Sequence, residues 1–498
     1  MATKYARAAG GAWATDATWS TTSGGIADTT APTASDDAVI DTNSGAVTSI
    51  TGSAISLTIT NTAVKTTALT FSGPLTLSGA FSVTGNSATN RIICQSTTLG
   101  TARTITAATT SLTNVDFRDI TGAGAATWTG TSVGNALGNT GITFTTPVTR
   151  YAVATGSVSS TSVWSATSGG ASGASVPLCH DTIVLNAASG AITVTNDMPR
   201  LCADLTCTGF TGTFTSSANT EVYGSVTAGS GMTISGIGII TMMGRSSHTI
   251  TSAGKTWTMR QGIWAGTYTL ADAWTSSRSS SNAFELIAPG AFNDGGFSMT
   301  LTGSAAAILV YSGTVTMSGT TTIASTAALT PWTFPAGGTL NHTGTIVLSG
   351  ATATDRTFAG GGKTYGTLTD QNTSTGKLTI TGQNTFTTIN KTATVACTLA
   401  LPTSSGCTFT TFAVTGISGA VLTLTGDVTK AEGTVSCDYL AISSSDATGG
   451  ATFYAGANST DGGTNTGWIF GAPTGGRPFK GGTATVKESD IEGALVVL

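Results

Sequence analysis

Charge is scarce in this sequence: Asp, Glu, Lys and Arg make up 9% of its 498 residues, against roughly 25% in an average soluble domain. The 20 basic and 24 acidic residues nearly cancel, to a net charge of -4, and no basic cluster occurs. That removes the electrostatic footprint of a nucleic-acid or anionic-lipid partner, so neither nucleic acid nor a membrane surface is expected. The three histidines, His180, His248 and His342, lie far apart. The seven cysteines are an odd, sparse set that does not read as a disulfide framework. Cys202 and Cys207 are neighbours, yet no second pair or nearby His completes a ligand set, so no metal is expected. No apolar run approaches the ~18 residues of a membrane-spanning helix. Met1 to Gly11 hold no apolar core of a secretory signal, so a chain made in a cytoplasm and kept soluble is expected. Helical i, i+3, i+4 apolar stripes are missing as well, which leaves almost no α-helix before the C-terminal tail. A Gly-x-Ser-x-Gly elbow, a P-loop and a zinc signature are all absent, and neither catalytic residues nor a cofactor are predicted.

Gly, Ser, Thr and Ala are abundant, beside a hydrophobic fraction of 39%. Disordered chains combine low hydrophobicity with high net charge; this alphabet instead describes a buried core and a surface of hydroxyls. One stretch occurs twice. Residues 19–48 pass through Trp19-Ser20, Ser23-Gly24-Gly25, Pro32, Asp36, Val39 and Ser44-Gly45-Ala46; 145 positions later come Trp164-Ser165, Ser168-Gly169-Gly170, Pro177, Asp181, Val184 and Ser189-Gly190-Ala191, with 13 of 30 positions identical. Trp, Pro and Asp are rare here and fall in one ungapped register, which marks an internal duplication. An aromatic residue, a Ser/Gly turn, then Pro and Asp before an alternating strand suit a cap that covers the open end of a β-solenoid and launches its first coil.

Closing signals repeat too. Gly138-Asn139-Thr140-Gly141-Ile142-Thr143-Phe144 resembles Thr464-Asn465-Thr466-Gly467-Trp468-Ile469-Phe470, and Val115-Asp116-Phe117-Arg118-Asp119-Ile120 matches Cys437-Asp438-Tyr439-Leu440-Ala441-Ile442 in apolar alternation. Between these ends the period is that of strands. Three hexads run from Leu69 to Asn86, each with two apolar residues about a hydroxyl and a Ser/Thr-Gly pair to turn the chain. Later, Tyr365 with Leu368, Phe386 with Ile389 and Phe409 with Phe412 recur at spacings of 21 and 23, in step with Leu378-Thr-Ile380, Leu399-Ala-Leu401 and Leu422-Thr-Leu424. A length in the low twenties fits one coil of three strands and three turns. The predicted fold is all-β: two tandem parallel β-helix (β-solenoid) units, residues 1–148 and 149–472, each with an equivalent cap. Crossover chirality favours the right hand. Residues 473–498 read as a linker and a C-terminal docking segment, with the apolar end of Phe479 to Leu498 offered to a partner or folded on the last coil.

Polysaccharide-cleaving β-helices need close carboxylates or a basic residue with acid or calcium partners. Here the acids are scattered. Asp36, Asp37 and Asp41 sit near the first cap, Asp36 and Asp181 recur directly before a strand as turn-fixing groups, and Asp355 and Asp370 stand apart. Asp116 and Asp119, three apart on a strand, are expected to face opposite sides. The densest aromatic and charged region runs from Trp257 through Arg260, Trp264, Trp274 and Arg278 to Glu285, where sugar binding by stacking competes with simple aromatic filling of irregular coils.

The Trp-Ser, Ser-Gly-Gly, Pro and Asp start, the Asp-Phe-Arg-Asp-Ile strand and the Gly-Asn-Thr-Gly-Ile-Thr-Phe finish resemble β-helical virion proteins of tailed bacteriophages, over about residues 10–472. The resemblance implies a non-enzymatic virion surface protein assembled in the host cytoplasm: a rigid tail-fibre or spike-type appendage touching host glycan, in the form of a homotrimer. Its alternatives are a head decoration, a glycan-degrading spike and a bacterial adhesin. The first cap starts by about residue 11, which would leave attachment to other virion proteins to the tail from Phe479 to Leu498.

Overall fold

The structure, a computed structural model, describes residues 2–60, 68–279, 282–303, 308–310, 312–327 and 329–471. The linker and docking segment at 473–498 lies outside them. Among the described residues every regular element is a strand, except three single-turn 3-10 helices at Asp16–Thr18, Thr161–Val163 and Ala187–Ser189.

Alternation of aliphatic and hydroxyl side chains sends one set inward and the other outward, and the chain winds so that the inward sets stack. One coil runs through Arg260–Ile263, Thr267–Leu270 and Trp274–Ser276, and the next through Phe284–Leu286, Ala291–Asn293 and Met299–Leu301. Each strand lies parallel to its counterpart one coil on: Ile263 beside Leu286, Tyr268 beside Phe292, Trp274 beside Met299. The chain is therefore a long parallel β-solenoid, whose longest face holds 13 strands.

The aromatic ladder falls where the spacing predicts it. Tyr365 pairs with Phe386 and Phe386 with Phe409, their rings stacked nearly parallel with centres 5.3 and 5.8 Å apart, while Leu368, Ile389 and Phe412 form the column beside them. The leucine marker differs by one step. Leu378 pairs with Leu399, but Leu399 meets Leu424 and Cys397 meets Leu422. A two-residue shift keeps every side chain on its own face, so the core accepts it. The hexads also differ from expectation. Ser72-Gly73 does not end a strand: Ala68–Leu77 runs through it, with Leu69 beside Cys94 and Leu75 beside Ile105, so the pair bends one strand around a corner.

Strands from Thr3–Ala6 to Gly130–Asn135 pair only with one another, as do those from Thr149–Ala152 onward, giving two stacks of coils among the described residues. Both begin alike. Trp19 and Trp164 are wholly buried and donate their indole N–H to the carbonyls of Trp13 (2.8 Å) and Val158 (2.7 Å). Asp36 accepts from the Thr33 N–H and hydroxyl, and Asp181 from the Leu178 and Val148 N–H groups. Each carboxylate thus fixes the turn ahead of its strand.

Both also end alike. Asn139 accepts from the Ile120 N–H (2.9 Å) and donates to Phe117 O and Asn135 Oδ1; Asn465 accepts from Ser445 N–H (3.1 Å) and donates to Ile442 O and Asp461 Oδ1. Gly141 (φ +70°) and Gly467 (φ +74°) follow, each pressed on the preceding coil so closely that a Cβ would lie 2.1 Å from the carbonyl oxygen of Gly122 or Ala447. Only glycine fits there.

Candidate functional site

The two stacks lie against each other, and their contact is where charge gathers. The strand Thr109–Arg118 turns Val115 and Phe117 inward and Asp116 outward, toward the strand Arg200–Cys202 of the second stack. Asp116 is wholly buried between two arginines: Arg91 Nε at 3.0 Å from its own stack and Arg200 Nε at 2.6 Å from the other. Gly134, its register partner, makes the room, since a Cβ there would lie 2.0 Å from Asp116 Oδ1. Burial alone would raise this carboxyl, but the Coulomb fields of Arg91 and Arg200 and their hydrogen bonds hold it below the ordinary Asp value. Arg200 closes the bridge by donating to the backbone carbonyl of Arg91 (2.9 Å).

Two more ion pairs cross the seam. Arg118 meets Glu221 at 2.8 Å and also donates to Gln95, and Arg245 meets Asp119 at 2.7 Å. The opposite-sides expectation for Asp116 and Asp119 is corrected here. Asp119 takes a positive φ of 55° just past the strand, which swings it onto the same seam as Asp116. Beneath the charges Ile93, Ala136, Cys179, Tyr223 and Met243 form a small apolar cluster. At its edge His180 accepts the Asn135 N–H at Nδ1 (2.8 Å) and faces Thr145 O with Nε2 (2.7 Å), which makes it the Nε2–H tautomer.

The remaining acids predicted from sequence are engaged one by one. Asp37 accepts from the Ser56 hydroxyl, Asp41 from Asn43 N–H, and Asp355 from Lys377 N–H one coil on. Asp370 lies inside the solenoid with Arg356 (3.0 Å) and Lys391 (3.0 Å). The outward Glu221 and Glu285 share one face but are separated by Thr241 and Gly262. Three strand steps put about 14 Å between their backbones, and each carboxylate is paired with a different arginine, Arg118 for Glu221 and Arg260 for Glu285. Cys202 and Cys207 are buried, burial pushing the Cys207 thiol up to about 12. No cluster of three His, Cys, Asp or Glu able to hold a metal occurs among the described residues.

The aromatic region divides. Trp257 and Trp274 are core residues, Trp257 donating to Ser252 Oγ, and Arg278 donates to the Ile237 and Gly238 carbonyls. Trp264 alone of the three tryptophans is only half-buried, packed at the seam. Beside it Arg260 pairs with Glu285 at 2.8 Å. Sequence reasoning missed the seam. Its signal was three charges, Asp116, Arg118 and Asp119, within four residues of a nearly uncharged chain. Comparison with protein-family models, with curated proteins and with solved structures returns no match.

Proposed function

We propose that this chain is a rigid, non-enzymatic structural protein on the surface of a tailed-phage virion, an appendage of fibre or spike type that contacts the host. The observation that carries the reading is the uninterrupted 13-strand face, twelve steps of ~4.8 Å or about 58 Å of stacked coil. A rod of this kind gains length by adding coils without altering its ends, which suits reach rather than turnover. The engagement of its carboxylates in turns and ion pairs supports passive contact over hydrolysis. In this reading the segment from Phe479 to Leu498 docks on other virion proteins, and three copies assemble together.

Two measurements test it. A cryo-electron map of the intact particle should hold the solenoid on the tail; density on the head would favour a decoration, and absence from particles would remove the virion reading. Incubating the purified chain with host polysaccharide should release no reducing ends, and their release would make it a spike enzyme.

A further inference from the structure

We propose that the groove along the junction of the two stacks is a binding site for a neutral saccharide, with Trp264 as its stacking platform. Two adjoining clefts of 160 and 320 Å³ share Pro199 and Glu221, and so form one groove. Together they fall within the ~300–1,000 Å³ of small-ligand sites. The first stack supplies Gln95 and Arg118; the second supplies Glu221, Thr241, Arg260 and Trp264. The larger cleft, with Trp264, is lined by the second stack alone, and the first stack closes the smaller one with Ile93, Gln95 and Arg118.

The lining selects the ligand. A pyranose offers one apolar C–H face and a rim of hydroxyls, and its usual complement is an exposed aromatic face ringed by fixed donors and acceptors. Trp264 lies against Gly262, where a Cβ would come 3.2 Å from the indole nitrogen, so the ring sits low along the groove wall. Thr241 and Gln95 add a hydroxyl and an amide. Arg118 and Arg260 are each neutralised by an adjacent carboxylate, Glu221 at 2.8 Å and Glu285 at 2.8 Å. Around the larger cleft these pairs present charge-assisted hydrogen-bonding groups with no net charge to draw an anion, while at the smaller cleft Arg200 shares Asp116 with Arg91 and leaves one positive charge in excess.

The inference rests on the junction alone. A chain that bound saccharide but was absent from particles would keep it and remove the virion reading. The test is a microarray of neutral and acidic bacterial-surface oligosaccharides probed with the full chain, then calorimetric titration of the strongest neutral hit. Trp264→Ala should weaken binding by about tenfold or more. Asn219, on the exposed rim of the larger cleft, gives a variant that spares the core, and Asn219→Trp should block the groove to the same degree. Retention of no saccharide, or of acidic ones only, overturns the proposal. So does an affinity within about twofold of the parent in Asn219→Trp, whatever Trp264→Ala does.

Discussion

His342 shows how a single interior polar group sets a pH limit. It is buried beside Trp332 and Tyr365, and its Nδ1 accepts the Gly366 N–H at 3.0 Å. Burial lowers its pKa to about 4, with Asp294 opposing weakly. An unfolded histidine titrates near ~6.5, so between those values the unfolded chain binds the extra proton. Stability is then complete above about pH 6.5 and falls as pH drops toward 4, by at most about 3 kcal/mol. His342→Gln should flatten a denaturation-midpoint profile over that window; an unchanged slope would clear His342. Asp116 makes the opposite case, a charge whose loss strands its partners. Asp116→Asn preserves shape but leaves Arg91 and Arg200 buried without an anion, a cost of about 3–5 kcal/mol in chemical denaturation. Asp119→Asn should cost less, because its partner Arg245 keeps 23% of its side chain exposed. At this scale the sequence was readable where one residue has one local task. Asp36 and Asp181 fix turns as expected. The fates of Asp116 and Trp264 depend on a second stack that no local pattern encodes.

Caps are the elements that let a solenoid stop, and here the two endings use one device. The positive-φ residues pair them: Asn114 (52°) and Asp119 (55°) in the first stack, Tyr439 (53°) and Ser444 (51°) in the second. This aligns Val115 with Leu440 and Phe117 with Ile442, three residues from the match that apolar alternation suggests. Period-2 patterns repeat too often to fix register, whereas a backbone kink occurs once per corner. The Asn that follows does the tethering. Asn139→Ala or Asn465→Ala removes three hydrogen bonds and leaves the amide of Ile120 or Ser445 without its acceptor. The expected loss is about 2–4 kcal/mol. Hydrogen exchange should show that amide and its coil losing protection while distant coils keep theirs. Protection unchanged at Ile120 would mean that the Asn is decorative. The starting caps were legible because Trp, Pro and Asp are rare enough here to carry information, while the bend at Ser72-Gly73 was not, since its composition equals that of a true turn.

The molecule as a whole depends on a seam drawn from residues up to 126 positions apart. Its charge pairs fall in a chain whose outer faces are otherwise hydroxyls. At the structurally equivalent positions of the second finish stand Ala441, Ser443 and Ser444 in place of Asp116, Arg118 and Asp119. Those three positions therefore carry none of the charges that join the first stack to the second. The consequence can be measured by removing only the second stack's half of the seam. In Arg200→Ala with Arg245→Ala, Asp116 keeps Arg91 and Asp119 keeps the Gly100 N–H at 3.0 Å, so no carboxylate of the first stack is stranded. Each stack should stay folded, with an unchanged far-ultraviolet spectrum. What remains between them is the five-residue apolar cluster around Tyr223, the Asn135–His180 and Arg91–Pro177 hydrogen bonds and the Arg118–Glu221 pair, whose side chains are 13% and 22% exposed. None of these holds a charge as fully enclosed as Asp116 between its two arginines. The stacks should then swing apart about the connection near Thr145 and Val148, raising the radius of gyration in small-angle scattering. Added salt should reproduce little of that effect in the parent chain, because the Asp116 pairs are buried and poorly screened. A double variant as compact as the parent would show that apolar packing, not the arginines, holds the stacks together.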